Sequence, residues 1–183
     1  MLDSLGKKMF PEWLNIWDRP VSVGETGSRL FDSEGVATAE MPIVENGVVK
    51  EYFVNTYMSR KMGVEATVED ATRPVVLPCF APSVAEPVEA TCGKEGLMRI
   101  VGEGILVTGF NGGNSNSATG DFSFGVEGFL FKDGKIVHPV REMLITGNLL
   151  TLWNNLLAAG NDARFCKSKL IPTLAFGNVD FSA

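Results

Sequence analysis

Asp121-Phe122-Ser123-Phe124-Gly125-Val126-Glu127-Gly128-Phe129-Leu130-Phe131-Lys132-Asp133-Gly134-Lys135-Ile136-Val137 is the stretch on which the fold turns. Phe122, Phe124, Val126 and Leu130 alternate with Ser123, Gly125 and Glu127, the two-residue period of a half-buried strand. Lys132-Asp133-Gly134 turns the chain back through Ile136-Val137, so the segment reads as a hairpin.

Working outward, Ile105 to Phe110 predicts a preceding strand. Between the two lies Asn111-Gly112-Gly113-Asn114-Ser115-Asn116-Ser117-Ala118-Thr119-Gly120, which reads as a long polar hairpin loop. A loop of this composition exposes many backbone N–H groups and can hold an anion or a peptide backbone. Downstream, Met143-Leu144-Ile145 reads as a strand. Asn148 then caps a helix with Leu149, Leu152, Trp153, Leu156 and Leu157 on one face, closed by Gly160. Short strands are expected at Arg164-Phe165 and from Thr173 to Phe176.

Upstream, Asn46-Gly47 between Ile43-Val44 and Val48-Val49 is a strong hairpin signal, because both turn residues need positive φ. Asn55 caps a short helix ended by Gly63, and a third short helix is expected from Glu95 to Val101. Residues 64 to 92 carry Pro74, Pro78, Pro82 and Pro87 and read as a long connection, or a strand with extended flanks. The first 30 residues lack periodicity. Hairpins with three short helices give an α+β fold, mostly antiparallel, organised as a single domain over residues 1–183.

Composition narrows the chemistry. The 183 residues are 45% hydrophobic and 21% charged, and they include 12 Phe, so a packed core is expected. Sixteen basic against 22 acidic residues leave a net charge of −6. That excludes direct nucleic-acid binding, which depends on phosphate neutralisation. The Arg164, Lys167 and Lys169 cluster reads as a solvated edge. No apolar run is long enough for a membrane span. Cys79, Cys92 and Cys166, three thiols without C-x-x-C spacing and with no apolar leader before them, predict a reducing, cytoplasmic setting.

The single histidine, His138, leaves no helical pair of imidazoles for zinc. It lies in Ile136-Val137-His138-Pro139-Val140 and reads as a strand-end residue without chemical duty. Gly93-Lys94-Glu95 lacks the Ser or Thr of a phosphate loop. Gly102-Glu103-Gly104 has Val107 in place of the third dinucleotide-binding glycine.

The blocks Gly120 to Phe129, Asp133-Gly134-Lys135-Ile136, Pro139-Val140, Gly147-Asn148-Leu149-Leu150 and Gly160-Asn161-Asp162 together resemble the TldD/PmbA family. Phe31-Asp32-Ser33-Glu34-Gly35-Val36 and the Glu45-Asn46-Gly47 turn match it in the same order. The resemblance implies the C-terminal domain of a protein more than twice this length, with an N-terminal domain absent. It also implies a cytoplasmic pair. One subunit is TldD-like, with an upstream H-E-x-x-x-H zinc helix and a cysteine ligand near the C-terminus. The other is PmbA-like (TldE) and metal-free, and the pair is implied to process peptides.

Asn161 to Lys169 lacks the Cys-Gly-Lys context of the zinc-ligating cysteine. The Cys92-Gly93-Lys94 tripeptide lies far from the family position. The resemblance therefore implies a PmbA-like chain with no catalytic or metal residue and no cofactor of its own, zinc being expected in a TldD-like heterodimer partner. Self-association through Phe10, Trp13 and Trp17 is the other partner expectation. Peptide binding is expected at Asn111, Gly112, Gly113, Asn114, Gly120, Asp121, Phe122 and Ser123. Two alternatives stay open: a TldD-like catalytic fragment with Cys166 as a surviving ligand, and a regulatory interaction module of the DNA-gyrase-modulator kind.

Overall fold

The computed structural model describes residues 3–84 and 93–182. Cys92 and Pro87, named above, lie outside them. The chain divides into two compact units, one from residue 3 to Leu77 with Ala163–Pro172, the other from Pro78 to Asp162 with Thr173 onward.

The first unit holds β1 (Ile16–Asp18), β2 (Met41–Glu45), β3 (Val48–Val49), α1 (Thr56–Met62) and β4 (Pro74–Val76). Its sheet runs β3-β2-β1-β4 with every ladder antiparallel. Asn46 and Gly47 both take positive φ, 51° and 73°, as the Asn-Gly turn requires. α1 begins and ends where its caps predict: Asn55 Oδ1 accepts from Met58 N, and Gly63 closes the helix at φ 66°. The supposedly irregular start supplies the central strand β1. Its terminal Asp18 is buried and accepts the N–H groups of Thr72 and Arg73 at 3.1 and 2.6 Å. Burial raises the pKa of the Asp32 carboxyl, and N–H donors from Val36, Glu69 and Glu34 outweigh that, leaving it below its ordinary value. Phe10 and Trp13 are half-buried. The exposed apolar side chains of this unit include Val23, Leu30 and Phe31 instead.

The second unit contains β5 (Cys79–Phe80), α2 (Lys94–Val101), β6 (Glu103–Ser115), β7 (Asp121–Lys132), β8 (Lys135–Asn148), α3 (Leu149–Asn154), β9 (Leu156–Ala159), β10 (Leu174–Phe176) and β11 (Phe181–Ser182). One sheet runs β10-β9-β5 and the other β11-β8-β7-β6. The mostly antiparallel fold with three helices is therefore as read from the residues. Leu97 of α2 packs with Ala158 and Ala175, and Phe122, Val126 and Ile145 form a second core closed by Leu152, Val179 and Phe181.

Three local readings change. The helix opened by Asn148 stops at Asn154: Asn155 N–H makes the last helical bond, to the Thr151 carbonyl, while the Asn155 carbonyl accepts from Gly177 N at 2.9 Å instead of continuing the helix. Leu156–Ala159 then becomes the middle strand of a sheet, with partners on both sides, which a helix-like apolar spacing does not reveal. Arg164-Phe165 is not a strand; the segment is bends and turns up to Leu170. His138 lies within β8 rather than at its end, opposite Leu130, exposed, with Nδ1 3.0 Å from the Pro139 carbonyl oxygen.

Gly128 stands in β7 between Val107 and Val140, and a Cβ there would collide with the Leu106 carbonyl oxygen. Gly128→Ala is expected to lower unfolding free energy by about 1–3 kcal/mol, the usual cost of forcing an overpacked site. Urea unfolding, read by tryptophan fluorescence, checks this; an unchanged midpoint contradicts the close approach.

Candidate peptide-binding edge

β6, β7 and β8 form a long antiparallel meander. Among the described residues, β6 pairs with β7 alone, so its other edge carries unpaired backbone groups. The turn between β7 and β8 is the two-residue Asp133-Gly134 loop, with φ of 49° and 73°, as expected from the sequence. The turn between β6 and β7 is shorter than the expected ten residues. β6 continues to Ser115 and β7 starts at Asp121, which leaves residues 116–120 as the loop.

Glycine explains the difference. Gly112 and Gly113 adopt φ of 92° and 131°, and the β6–β7 register slips by one residue between Phe110 and Gly113. Such a bulge lets the strand bend and continue instead of opening into a loop. A Cβ on Gly113 would collide with the Ser123 carbonyl and the Phe124 ring, whereas one on Gly112 meets nothing within 4 Å.

The five-residue turn is tied by its own side chains. Asn116 Oδ1 accepts from Ala118 N at 2.9 Å, and Gly120, at φ 83°, donates its N–H to Asn116 O at 2.7 Å. Asn148, directly opposite Asp121 in the ladder, donates Nδ2–H to Thr119 O and to Asp121 Oδ1, both at 2.9 Å. Its Oδ1 accepts from Leu150 N at 3.0 Å, so one amide caps α3 and clamps the hairpin. Thr119 Oγ1 donates to Asp121 Oδ2 at 2.7 Å. These neutral donors, Asn148 first, hold the Asp121 carboxyl below its ordinary pKa.

Asn114, Ser115, Asn116, Asp121, Phe122 and Ser123 line a shallow open depression of about 260 Å³ at this end of the hairpin. Five of the eight expected binding residues therefore gather there: Asn114, Asp121, Phe122 and Ser123 in the lining, and Gly120 in the turn behind them. Asn111, Gly112 and Gly113 instead lie along the adjoining strand, where Asn111 Nδ2–H donates to Glu127 at 3.4 Å. Asn148 is the participant the sequence reading assigned to helix capping alone. Its opposition to Asp121 follows from hairpin register, which spacing within one segment does not disclose.

No group of three or more His, Cys, Asp or Glu among the described residues is arranged to hold a metal ion. Cys166 is exposed and Cys79 is buried, its thiol pushed up in pKa by burial. A zinc ion thus finds no ligand set among these residues. No helix among them is long and apolar enough to cross a membrane.

Over residues 1–183 the sequence matches the family described as the PmbA/TldA metallopeptidase C-terminal domain. The chain belongs to that family. It is 37% identical over 162 residues to a metalloprotease PmbA homolog of Haemophilus influenzae, covering 88% of this chain and 34% of the relative. The crystal structure of a candidate modulator of DNA gyrase from Bacteroides thetaiotaomicron superposes with a TM-score of 0.88. Its identity is 46%, over 99% of this chain and 39% of that one. TldE of Thermococcus kodakarensis shares the fold, with a TM-score of 0.80 at 22% identity over 99% of this chain and 42% of that one. The PmbA/TldA C-terminal domain described here spans about a third of the length of the curated relative it matches.

Because Asp121 ionises more readily when folded, its charge contributes stability above the unfolded carboxyl value of about 3.9. That contribution is lost as pH falls through the lower folded value. In Asn148→Ala the Asp121 titration is expected to move up toward the unfolded value and the acid-linked loss of stability due to Asp121 to shrink. Carboxyl-detected NMR titration checks both; an unmoved Asp121 midpoint contradicts the clamp.

Proposed function

We propose that this chain is the PmbA-like, metal-free half of a cytoplasmic peptidase pair, shaping the cleft that presents peptides to a zinc-bearing TldD-like subunit. The observation that carries this reading is the unpaired edge of β6, thirteen residues long and ending at a polar, glycine-bent turn. An extended peptide adds to such an edge by main-chain hydrogen bonds, which bind without regard to sequence. The metal-free assignment is supported by the segment Asn161 to Lys169, which lacks the Cys-Gly-Lys context that the resemblance gives the zinc-ligating cysteine. The match to a metallopeptidase C-terminal domain and the name of the PmbA relative, a metalloprotease homolog, support the peptidase part of this reading.

The solved relative's description as a candidate gyrase modulator favours a second reading, a regulatory module acting through protein surfaces. A pull-down that recovers topoisomerase subunits and no family partner would select it.

The test is peptide processing by the full-length protein reconstituted with its TldD-like partner. Gly113→Ala, whose Cβ distorts the β6–β7 ladder, and Asp121→Asn are each expected to reduce processing about tenfold, roughly 1.4 kcal/mol of binding. Gly112→Ala, where space is open, is expected to cost less. The full-length protein is expected to purify without stoichiometric zinc. Unchanged processing in the first two variants retires the assignment.

A further inference from the structure

Two glycines of β6 let side chains of β7 reach the open edge. On the core face, Phe110 is 65% exposed although Val126, its partner in register, is buried. The Phe124 ring of β7 fills the space that Gly113 leaves empty, with Cδ1 2.5 Å from where a Cβ would stand, and lies edge-on to Phe110 at 5.7 Å. Phe124 in turn stacks on the buried Phe122 at 5.8 Å. The three rings form a ladder from the core to the edge. Among the described residues no further strand covers its last member, Phe110. A large apolar side chain on an added strand would cover it, as a cross-strand neighbour does within a sheet.

The preceding residue, Gly109, stands on the opposite face, as successive strand positions must. Its partner in register is Glu127, whose Oε1 lies 2.8 Å from where a Cβ on Gly109 would stand. The carboxylate of Glu127 therefore lies across β6 toward the edge, and Asn111 of β6 donates Nδ2–H to its Oε2 at 3.4 Å. Glu127 is exposed, and no cation among the described residues pairs with it. β6 itself has no charged side chain beyond Glu103, so Glu127 sets the sign of the edge at Gly109. On that face of an added strand a Lys or Arg complements the carboxylate, and an Asp or Glu meets a like charge.

We propose that the β6 edge selects extended peptides that carry a large apolar residue next to a basic one: the apolar side chain covers Phe110, and the Lys or Arg reaches Glu127 across Gly109. This deepens, and rests on, the peptide-cleft reading above. Adjacency follows from position, because the residues of an added strand beside Phe110 and Gly109 are consecutive and point to opposite faces. The order follows from direction. Every ladder of this sheet is antiparallel, and a strand added in the same sense places the apolar residue first and the basic one second. The apolar contact is the larger of the two terms, since an ion pair at an exposed edge is screened by water.

The experiment is NMR titration of eight-residue peptides into the full chain, followed at the β6 amides. All probes are N-acetylated and C-amidated, so that terminal charges play no part, and share one serine–threonine host sequence. They differ at two central positions, which are Phe-Lys, Ser-Lys or Phe-Glu. The Phe-Lys peptide is expected to bind about fivefold tighter than Ser-Lys and about threefold tighter than Phe-Glu. In Phe110→Ala the preference for Phe over Ser is expected to vanish while that for Lys over Glu stays. In Glu127→Gln the reverse is expected, a crossed pattern that a general loss of structure would not produce. A missing preference at either position in the unsubstituted chain overturns the paired recognition and leaves the cleft reading intact. Absence of binding by every probe overturns both.

Discussion

Backbone N–H and C=O groups must find partners, and most of this domain's identifiable sequence features exist to provide them. The central instance is Asn148. One side-chain amide donates to Thr119 O and Asp121 Oδ1 and accepts from Leu150 N, joining the turn before β7 to the end of β8 and the start of α3. That clamp holds the β6–β7 hairpin end in one shape, and with it the lie of the unpaired β6 edge on which the functional reading rests.

The blocks that carry the family resemblance are mostly of the same kind. Asp32 accepts from Glu34, Val36 and Glu69 N–H groups. Glu34 reaches Thr56 N at the start of α1. Asp162 accepts from Lys94 N at the start of α2 and from Thr173 N and Oγ1. Burial raises the Asp162 pKa, and the Thr173 hydrogen bonds outweigh that, for a net lowering. These acidic side chains cap and staple backbone, and among the described residues no group of three or more His, Cys, Asp or Glu is arranged to hold a metal ion.

Much of this was legible in the residues because it is local. The two Asn/Asp-Gly turns, the Asn55 and Gly63 caps of α1, and the alternation through Phe122, Phe124 and Val126 are all decided within a few positions. What was not legible depends on distant partners. Ile16–Asp18 has no periodic signature, yet it is central because β2 and β4 flank it. Leu156–Ala159 carries helix-like spacing but is claimed by β5 and β10. The polar stretch from Asn111 reads as loop by composition. Exposure at a sheet edge removes the demand for apolar side chains, and two glycines supply the bend that keeps it a strand. Of the candidate site, the glycines and Asp121 could be named from the sequence. The opposition of Asp121 to Asn148 and the Phe110–Phe124–Phe122 ladder required register.

The most direct measurement of the central claim is amide hydrogen exchange along β6 in the full-length protein, with and without a saturating unfolded peptide. If the edge accepts an added strand, alternate amides between Glu103 and Ser115, those directed away from β7, slow markedly when peptide is present, while the amides already paired with β7 keep their rates. Unchanged exchange at every β6 amide, with peptide bound elsewhere on the protein, would contradict the account.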